Sequence, residues 1–292
     1  MTVERSKLRL YFPQWQGATY DNLMACVPEL SREEVTTGYH LGSQLVKMMF
    51  PKGDGKEVEV PVSLDTKDVA TEKGIYARSA LLKQHKAAFE VLRQNNPSHI
   101  LVMGGECSTS VAPFGYLTKK YENDVACVWI DAHPDINLPF DDYTGFHAMA
   151  LAHILGMGDE EFLREMPGKL AVDKALVVGL RSMEPKAKER QPEIGLKSLS
   201  PEEYRANPTS VLEFVKGTGA RKVMVHLDLD VLEPTELVCA VGRDADGMRI
   251  AEVAGLINTL AAEFDMVGLT IAEHMPIVEL KLRSMLSQLP TF

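Results

Sequence analysis

Short apolar runs alternate with amphipathic stretches along most of the chain. Continuous runs rich in Val, Ile and Leu are typical of strands that are covered on both faces. Strands are predicted at 8–12, 58–63, 99–104, 125–133, 174–181, 222–230 and 266–274. Helices are predicted roughly at 75–95, 108–121, 147–156, 201–216, 249–264 and 277–288. The helical apolar spacing is clearest in the segment RIAEVAGLINTLAAEF.

This alternation predicts an α/β fold, with a parallel sheet and helices on both of its faces. No internal repeat or low-complexity linker interrupts it, and 292 residues allow one large domain or two smaller ones. Active sites of such sheets lie at the carboxyl ends of strands, near a switch in strand order. Five polar motifs stand at or just past predicted strand ends: GGEC, DAHPD, GLR, DLDVLEP and EH. We therefore expect all five at one edge of one sheet.

Composition and charge narrow the function classes. Hydrophobic residues make up 45% of the chain and charged residues 25%, as in ordinary soluble globular proteins. A formal net charge of −10 argues against nucleic acid or an anionic membrane as the main partner. The chain opens on the charged stretch MTVERSKLRLYF and has no run of about 18 apolar residues, so we expect neither a signal peptide nor a membrane span. Four scattered cysteines without a C-x-x-C pair predict reduced thiols and a cytoplasmic location.

The motif WIDAHPDIN is the most specific chemical signal. At an extended strand end, alternate residues share one face, which predicts that Asp131, His133 and Asp135 converge. Ala132 and Pro134 would then point away. Two carboxylates and an imidazole crowded together favour a cation between them. The alternative is an Asp–His–Asp hydrogen-bond ladder at the sheet edge.

The motif VHLDLDVLEP adds two more carboxylates. Asp228 and Asp230 follow an apolar strand, where unpaired aspartates are costly, although an exposed acidic turn is the alternative. With the first motif they offer four aspartates and a histidine, a set that suits two hard or borderline divalent cations. His226 alternates with Asp228 and faces the same side, where we expect it to support the site without binding metal.

The stretch LVMGGECSTS leaves three interpretations of Cys107: nucleophile, metal ligand or small filler of a tight turn. Its strand–turn–helix context places Cys107 at the same sheet edge as the aspartates. That position favours a metal ligand. A nucleophile stays open, because the dipole at a helix N-terminus lowers the pKa of a thiol.

Taken together, GGECS, DAHPDIN, DLDVLEP and a glutamate after the last apolar strand resemble the arginase/agmatinase family, the ureohydrolases. The match runs from about Gly104 to Pro276. It implies one ureohydrolase-like domain over residues 1–292, with three α/β/α layers around a mainly parallel sheet of about eight strands. It also implies that a hydroxide bridging two manganese ions hydrolyses a guanidino or formimidoyl C–N bond of a small molecule. A homo-oligomer, trimer or hexamer, is implied by family analogy alone.

The resemblance assigns six side chains to the two ions: Asp131 and Asp228 to both, His133 and Asp230 to one, and Asp135 and Cys107 to the other. In this scheme Asp135 also holds the hydroxide by a hydrogen bond. The family has histidine where this chain has Cys107. The resemblance implies manganese. Zinc, iron and nickel stay open, because thiolate suits zinc or iron better than manganese.

The remaining implied roles concern the substrate. His147 would carry protons, with His153 as the alternative, because an unperturbed pKa of about 6.5 suits that task. Glu273 would pair with the guanidinium group. Asn137 would contact the amino-acid end of the substrate and Glu184 its α-amino group, although a solvated loop carboxylate is as good an interpretation of Glu184.

Two further departures from the family pattern concern substrate more than fold. After Pro234 the stretch CAVGRDADGM replaces a Gly-Thr-Pro-type loop and brings Arg243 near the expected rim of the site. Near the N-terminus, YFPQWQGATYDN also differs from arginases. These changes keep three other hypotheses open: a catalytically silent family member that acts by binding or assembly, a thiol enzyme, and an amide deacetylase on the same fold.

Overall fold

The computed structural model describes residues 6–67, 69–122 and 124–290. In these ranges the chain forms eight strands and twelve α-helices. The strands are β1 (Lys7–Phe12), β2 (Lys56–Glu59), β3 (His99–Gly104), β4 (Val125–Ile130), β5 (Ala175–Val178), β6 (Lys197–Leu199), β7 (Lys222–Asp228) and β8 (Asp265–Ala272). The helices are α1 (Tyr20–Cys26), α2 (Arg32–Thr36), α3 (Gly38–Met49), α4 (Arg78–Asn95), α5 (Val111–Lys120), α6 (Ala150–Ile154), α7 (Glu160–Glu165), α8 (Pro185–Ile194), α9 (Pro201–Ala206), α10 (Ser210–Gly217), α11 (Ile250–Glu263) and α12 (Ile277–Leu286).

All strands belong to one sheet, in the order β2-β1-β3-β8-β7-β4-β5-β6, and every neighbouring pair is parallel. Strand β4 has the sequence VACVWI, and all six of these apolar residues are buried, as expected of a central strand that is covered on both faces. Cys127 and Trp129 pack on one face with Phe114 of α5, and Val128 packs on the other face with Leu256 of α11. Helices cover both faces, so the predicted three-layer α/β/α fold is confirmed.

The strand order has its switch at the centre of the sheet. The chain passes from β3 to β4 across a gap that β8 and β7 later fill, so these four strands are neighbours. Their carboxyl ends lead to Cys107, Asp131, Asp228 and Glu273. Residues as far apart in sequence as Cys107 and Glu273 therefore meet at one sheet edge, as the rule for parallel sheets predicts.

The seven predicted strands are present, but five of them end earlier than predicted. β2, β4, β5, β7 and β8 end at Glu59, Ile130, Val178, Asp228 and Ala272. Asp131 and His133 do lie close together, as predicted, but the predicted cause, alternation along an extended strand, was wrong. These residues lie in a bend after β4, because the Asp131 carboxylate accepts the His133 backbone N–H and turns the chain. β6 was not predicted, because it has three residues and little apolar character.

Helices α1, α2, α3, α7 and α8 were not predicted, and the predicted helix 201–216 is two helices. Asn207 and Pro208 separate α9 from α10, because proline disfavours a helical conformation in the residue before it. Asn207 accordingly has φ −145°. The start of α2 could have been predicted from the sequence, since Ser31 and Glu34 have the spacing of a capping box and form one.

The four cysteines, all among the described residues, are free, and Cys107, Cys127 and Cys239 are buried. No helix that the structure describes is both long enough and apolar enough to cross a membrane.

Candidate metal centre

The turn after β3 places Cys107 beneath the sheet edge. A Cβ on Gly105 would lie 1.8 Å from the carbonyl oxygen of Gln14, so the close approach of the two backbones requires glycine there. Glu106 stabilises the next turn by accepting the backbone N–H of Ser108 at 2.8 Å and the side-chain amide of Gln14 at 2.7 Å. Cys107 is 1% exposed, and its thiol donates to the Asp228 carboxylate at 3.0 Å.

The loop after β4 is shaped by Asp131. One carboxylate oxygen accepts Nε1–H of Trp129 at 2.8 Å, and the other accepts the His133 backbone N–H at 2.6 Å. Asp131 is fully buried. Asp135, four residues on, has a left-handed backbone with φ 48°, a conformation that non-glycine residues adopt at a free-energy cost.

The end of β7 brings the second pair of aspartates next to the first. The Asp228 carboxylate accepts the backbone N–H of Asp230 at 2.6 Å, which starts a 3₁₀ turn at Leu229–Val231. Asp230 Oδ2 lies 3.0 Å from Nδ1 of His133. Loops that follow two different strands therefore contribute to one cluster.

Among the described residues the potential ligand atoms form three groups, in each of which all atoms lie within 4.8 Å of one another. Two of them contain aspartates, and the third is Cys107, His147 and Glu273. The inner group is Cys107, Asp131, His226 and Asp228. The outer group is Asp131, His133 and Asp230. These two groups contain every predicted ligand except Asp135, and they add His226, which we expected only to support the site. Asp131 belongs to both aspartate groups, whereas Asp228, which was also predicted to bridge the two ions, belongs to the inner group alone.

Charges in this cluster fit divalent cations. Burial, together with Asp230, raises the pKa of Asp131 to about 6. Burial and neighbouring carboxylates raise the pKa of Asp135 and of Asp228 well above the usual range. So many carboxylates cannot ionise together in a buried place without positive charge between them. Asp135 Oδ2 is also buried and has no hydrogen-bond partner among the described residues.

A cavity of about 380 Å³ opens above the outer group. Its lining includes His133, Asp135, Asn137, His147, Glu184, Asp228, Asp230, Arg243 and Glu273. Cys107 and Asp131 are buried and do not belong to this lining. Burial and the carboxylate of Asp228 raise the pKa of the Cys107 thiol well above its usual value. A buried thiol held in its protonated form is a poor nucleophile, which weighs against the thiol-enzyme hypothesis.

His147 and Glu273 face the cavity as a pair. Nδ1 of His147 lies 3.3 Å from Oε1 of Glu273, and its Nε2 lies 2.6 Å from the hydroxyl of Tyr143. Burial lowers the pKa of His147, but the carboxylates of Glu273 and Glu106 together raise it more, so the net direction is upward. Glu273 has φ 68°, and its Oε1 also accepts the backbone N–H of Cys107 at 3.1 Å.

His153, the alternative proton carrier, lies elsewhere. It is fully buried, with Nδ1 against the Met149 carbonyl oxygen at 2.8 Å and Nε2 accepting the Asp159 backbone N–H at 3.0 Å. Both ring nitrogens are therefore occupied by backbone groups. The geometry favours His147 over His153 at the cavity.

The outer part of the cavity carries mixed charge. Asn137 is 2% exposed, and its amide nitrogen has no partner within the ranges described. Glu184 is exposed and lies at the N-cap of α8. Arg243 lies at the rim, as predicted, and pairs with Glu29 at 2.6 Å. This edge therefore offers an acidic, an amide and a basic group to a bound molecule.

Comparison with known proteins agrees with this fold. The sequence is 24% identical over 249 residues to the arginase of Staphylococcus aureus (strain MSSA476), which covers 81% of this chain and 80% of that one. Entamoeba histolytica arginase, solved in complex with L-ornithine, superposes with a TM-score of 0.74 at 16% identity over 96% of this chain and 94% of that one. Formimidoylglutamase from Bacillus subtilis subsp. subtilis str. 168 gives a TM-score of 0.68 at 12% identity over 93% and 80%.

The model of the arginase family matches residues 53–286. The chain therefore belongs to the arginase family. Membership and fold support a hydrolase of the ureohydrolase type, in a family that depends on a binuclear metal centre. The resemblance drawn from GGECS, DAHPDIN and DLDVLEP is thus confirmed.

Proposed function

We propose that the protein hydrolyses a C–N bond of a guanidino or formimidoyl group in a small molecule. Water adds to the central carbon and the C–N bond to the rest of the molecule breaks, which releases an amine together with urea or formamide. The observation that carries this proposal is the placement of two compact ligand groups directly beneath a cavity that Glu273 and His147 also line.

Two divalent ions held by these groups would supply hydroxide at neutral pH by lowering the pKa of coordinated water. The outer group of carboxylates and an imidazole suits manganese, the ion that family resemblance favours. Cys107 in the inner group favours zinc, iron or nickel. In this assignment Asp131 is shared by both ions, and Asp228, Asp230 and His133 complete the set with Asp135.

Three side chains would then act on substrate and water. The Glu273 carboxylate orients the cationic guanidinium or formimidoyl group by charge-assisted hydrogen bonds. Asp135, whose Oδ2 is unpaired among the residues described, accepts a hydrogen bond from the attacking water and orients it. His147, with a pKa above its usual value, donates a proton to the leaving amine.

The far end of the substrate would meet the rim of the cavity. The unpaired amide of Asn137 is a hydrogen-bond donor for a carboxylate or carbonyl oxygen. Glu184 would attract an amino group. Arg243 disfavours a second cationic group close to its own position and is suited to an acidic one.

By family analogy we also propose that the chain acts in the cytoplasm as a homo-oligomer, a trimer or a hexamer. Its free thiols and acidic charge are compatible with that compartment. Light scattering of the purified protein measures the assembly directly, and a monomer at micromolar concentration would contradict it.

Product release tests the proposed function. Metal-free protein is reloaded with manganese, zinc, iron or nickel and assayed with arginine, agmatine, guanidinobutyrate and formimidoylglutamate for urea or formamide. We expect turnover of at least one substrate, and a loss of about 100-fold or more in Glu273→Gln, because a neutral amide pairs weakly with a cation. Glu184→Gln, at the exposed rim, is the matched control and should raise KM more than it lowers kcat.

The two negative results have different meanings. Protein that binds none of the four metals contradicts the proposed function outright. Protein that binds metal and turns over none of the substrates would favour a family member that acts by binding or assembly.

A further inference from the structure

His226 has a ring nitrogen that the fold leaves unpaired. The residue lies in β7 and is fully buried, and its ring stacks on Trp129 with centroids 3.6 Å apart and planes at 10°. Nδ1 lies 2.8 Å from the hydroxyl oxygen of Ser110. Nε2 has no hydrogen-bond partner in the part of the chain that the structure describes. A buried polar atom without a partner is costly, which points to a ligand at this nitrogen.

The surroundings of His226 identify the chemistry of that ligand. A ring nitrogen of His226 lies within 4.8 Å of the Cys107 sulfur and of carboxylate oxygens of Asp131 and Asp228. One sulfur, one imidazole nitrogen and two carboxylate oxygens form a donor set that zinc binds in proteins. Each of these four residues is buried, with exposed fractions from 0 to 2%.

The second ring nitrogen prepares the first for metal binding. A histidine that ligates a metal through one nitrogen commonly donates its other N–H to a nearby oxygen, which fixes both tautomer and ring orientation. The hydroxyl oxygen of Ser110 is placed to accept Nδ1–H. The lone pair then resides on Nε2, and the stack on Trp129 prevents the ring from turning away.

We propose that Nε2 of His226 ligates the inner ion together with Cys107, Asp131 and Asp228, in the place that family resemblance gave to Asp135. This inference rests on the proposed function, because it refines the metal centre of that same site. The inner site then selects a borderline ion such as Zn²⁺ over Mn²⁺, whereas the outer group remains suited to either. On binding, the Cys107 thiol releases its proton to solvent, and neutral His226 releases none.

Two substitutions separate the roles of the two nitrogens. The amide of His226→Asn occupies the region of Nδ1 and keeps a polar contact for Ser110, but no atom reaches Nε2. The amide of His226→Gln reaches the region of Nε2 instead. Full-length variants are stripped with chelator and reloaded with Zn²⁺ or Co²⁺. We measure bound metal per chain, Kd by competition with a chromophoric chelator, and thiolate-to-cobalt charge-transfer absorption.

We expect His226→Asn to lose one of two zinc ions or to weaken its Kd by about 100-fold or more, since a direct ligand outweighs the supporting groups whose loss costs 10–100-fold. The thiolate–cobalt absorption should fall with it, because Cys107 binds the same ion. His226→Gln should lose less affinity. A role confined to the Ser110 hydrogen bond would give the opposite order of the two variants.

His85→Asn is the matched control. His85 in α4 is also buried, its Nε2 is also unpaired among the described residues, and it packs against Phe89 and Phe162, outside both ligand groups. This variant should keep both ions at the wild-type Kd. Retention of both ions and of the cobalt absorption by His226→Asn overturns the inference about His226.

If His226→Asn fails to fold, the proposal can still be tested in protein that keeps His226. X-ray absorption of His133→Asn loaded with one equivalent of zinc should show sulfur and imidazole around the same ion. Sulfur without imidazole overturns the proposal. Wild-type protein that binds two ions but hydrolyses no substrate contradicts the proposed function and leaves the assignment of His226 intact.

Discussion

Cys107 stands where the family has histidine, and its surroundings decide between the interpretations that its sequence left open. The thiol is buried, lies outside the cavity lining and contacts Asp228 at 3.0 Å. A filler needs no such contact, and a nucleophile needs access to substrate. A ligand to a buried ion needs both burial and neighbouring carboxylates, as found here.

Replacing Cys107 should change metal preference. In Cys107→His, a nitrogen donor replaces the soft sulfur, and we expect the ratio of manganese-supported to zinc-supported turnover to rise by about tenfold or more. Cys107→Ser, which keeps the volume but provides no thiolate, should weaken zinc binding without favouring manganese. Steady-state rates in each metal and metal content measure both effects. Abolished turnover in Cys107→His with both ions still bound would revive the nucleophile hypothesis.

Single residues also mark where sequence patterns fail. The identities of Asp131, His133, Asp228 and Glu273 could be selected because each follows an apolar run. The left-handed backbone of Glu273, at φ 68°, has no sequence signature, because tertiary contacts impose it. The ligand geometry of His226 was missed for a related reason, since alternation predicts the face of a strand but not which atoms remain unpaired.

Strands were easier to predict than helices in this chain. The central strands are buried on both faces, so each appears as a continuous apolar run. Helices α1 and α2 have seven and five residues, too few to show an apolar period, and the buried face of α3 includes Gly38, Gly42 and Ser43, which do not appear in the sequence as an apolar stripe. The prediction of strand in the ligand loops was wrong, because the carboxylates of Asp131 and Asp228 accept backbone N–H groups two residues ahead and thereby end those strands early.

Helices α4 and α7 are joined by a buried ion pair. Arg78 donates two hydrogen bonds to Asp159 at 2.9 and 2.8 Å, and the two side chains are 5% and 6% exposed. Asp159 also caps α7 through the Glu161 backbone N–H. Burial raises the pKa of Asp159, but the hydrogen bonds and charge of Arg78, together with the backbone N–H groups of Glu161 and Phe162, lower it more, so the net direction is downward.

Asp159→Asn should keep the cap and lose the ion pair, which costs about 2–3 kcal/mol because Arg78 stays buried beside only Glu161. A carboxyl with a depressed pKa stabilises the fold above its unfolded pKa of about 3.9 and loses that contribution as pH falls through its folded pKa. The difference from wild type should therefore be constant between about pH 7 and pH 5 and shrink below about pH 4. Urea unfolding at several pH values measures it.

The exposed Asp173→Asn provides the control, with an expected change within about 0.5 kcal/mol at every pH. A difference between Asp159→Asn and wild type that grew as pH fell would contradict the assigned ion pair.

The metal centre joins the ends of β3, β4 and β7, so the ions should stabilise the protein as a whole. Removing them with chelator should lower Tm, and returning zinc or manganese should restore it. For one site, free metal at 100 times Kd contributes about 2.7 kcal/mol to the free energy of unfolding. Calorimetry with and without chelator measures the shift.

The decrease in Tm caused by chelator should be smaller in Asp131→Asn, because this substitution alters the ligand that the inner and outer groups share. An unchanged wild-type Tm after verified metal removal would contradict this prediction.

The strand order also has a consequence for biosynthesis. β7 and β8 lie between β3 and β4, yet the ribosome makes them after β6. Until they emerge, β3 and β4 each expose an unpaired edge at what becomes the middle of the sheet, a state open to aggregation. Asp228, Asp230 and Glu273 also arrive with these last strands. Nascent chains therefore cannot assemble either ligand group until the sheet closes, and metal capture marks the end of folding.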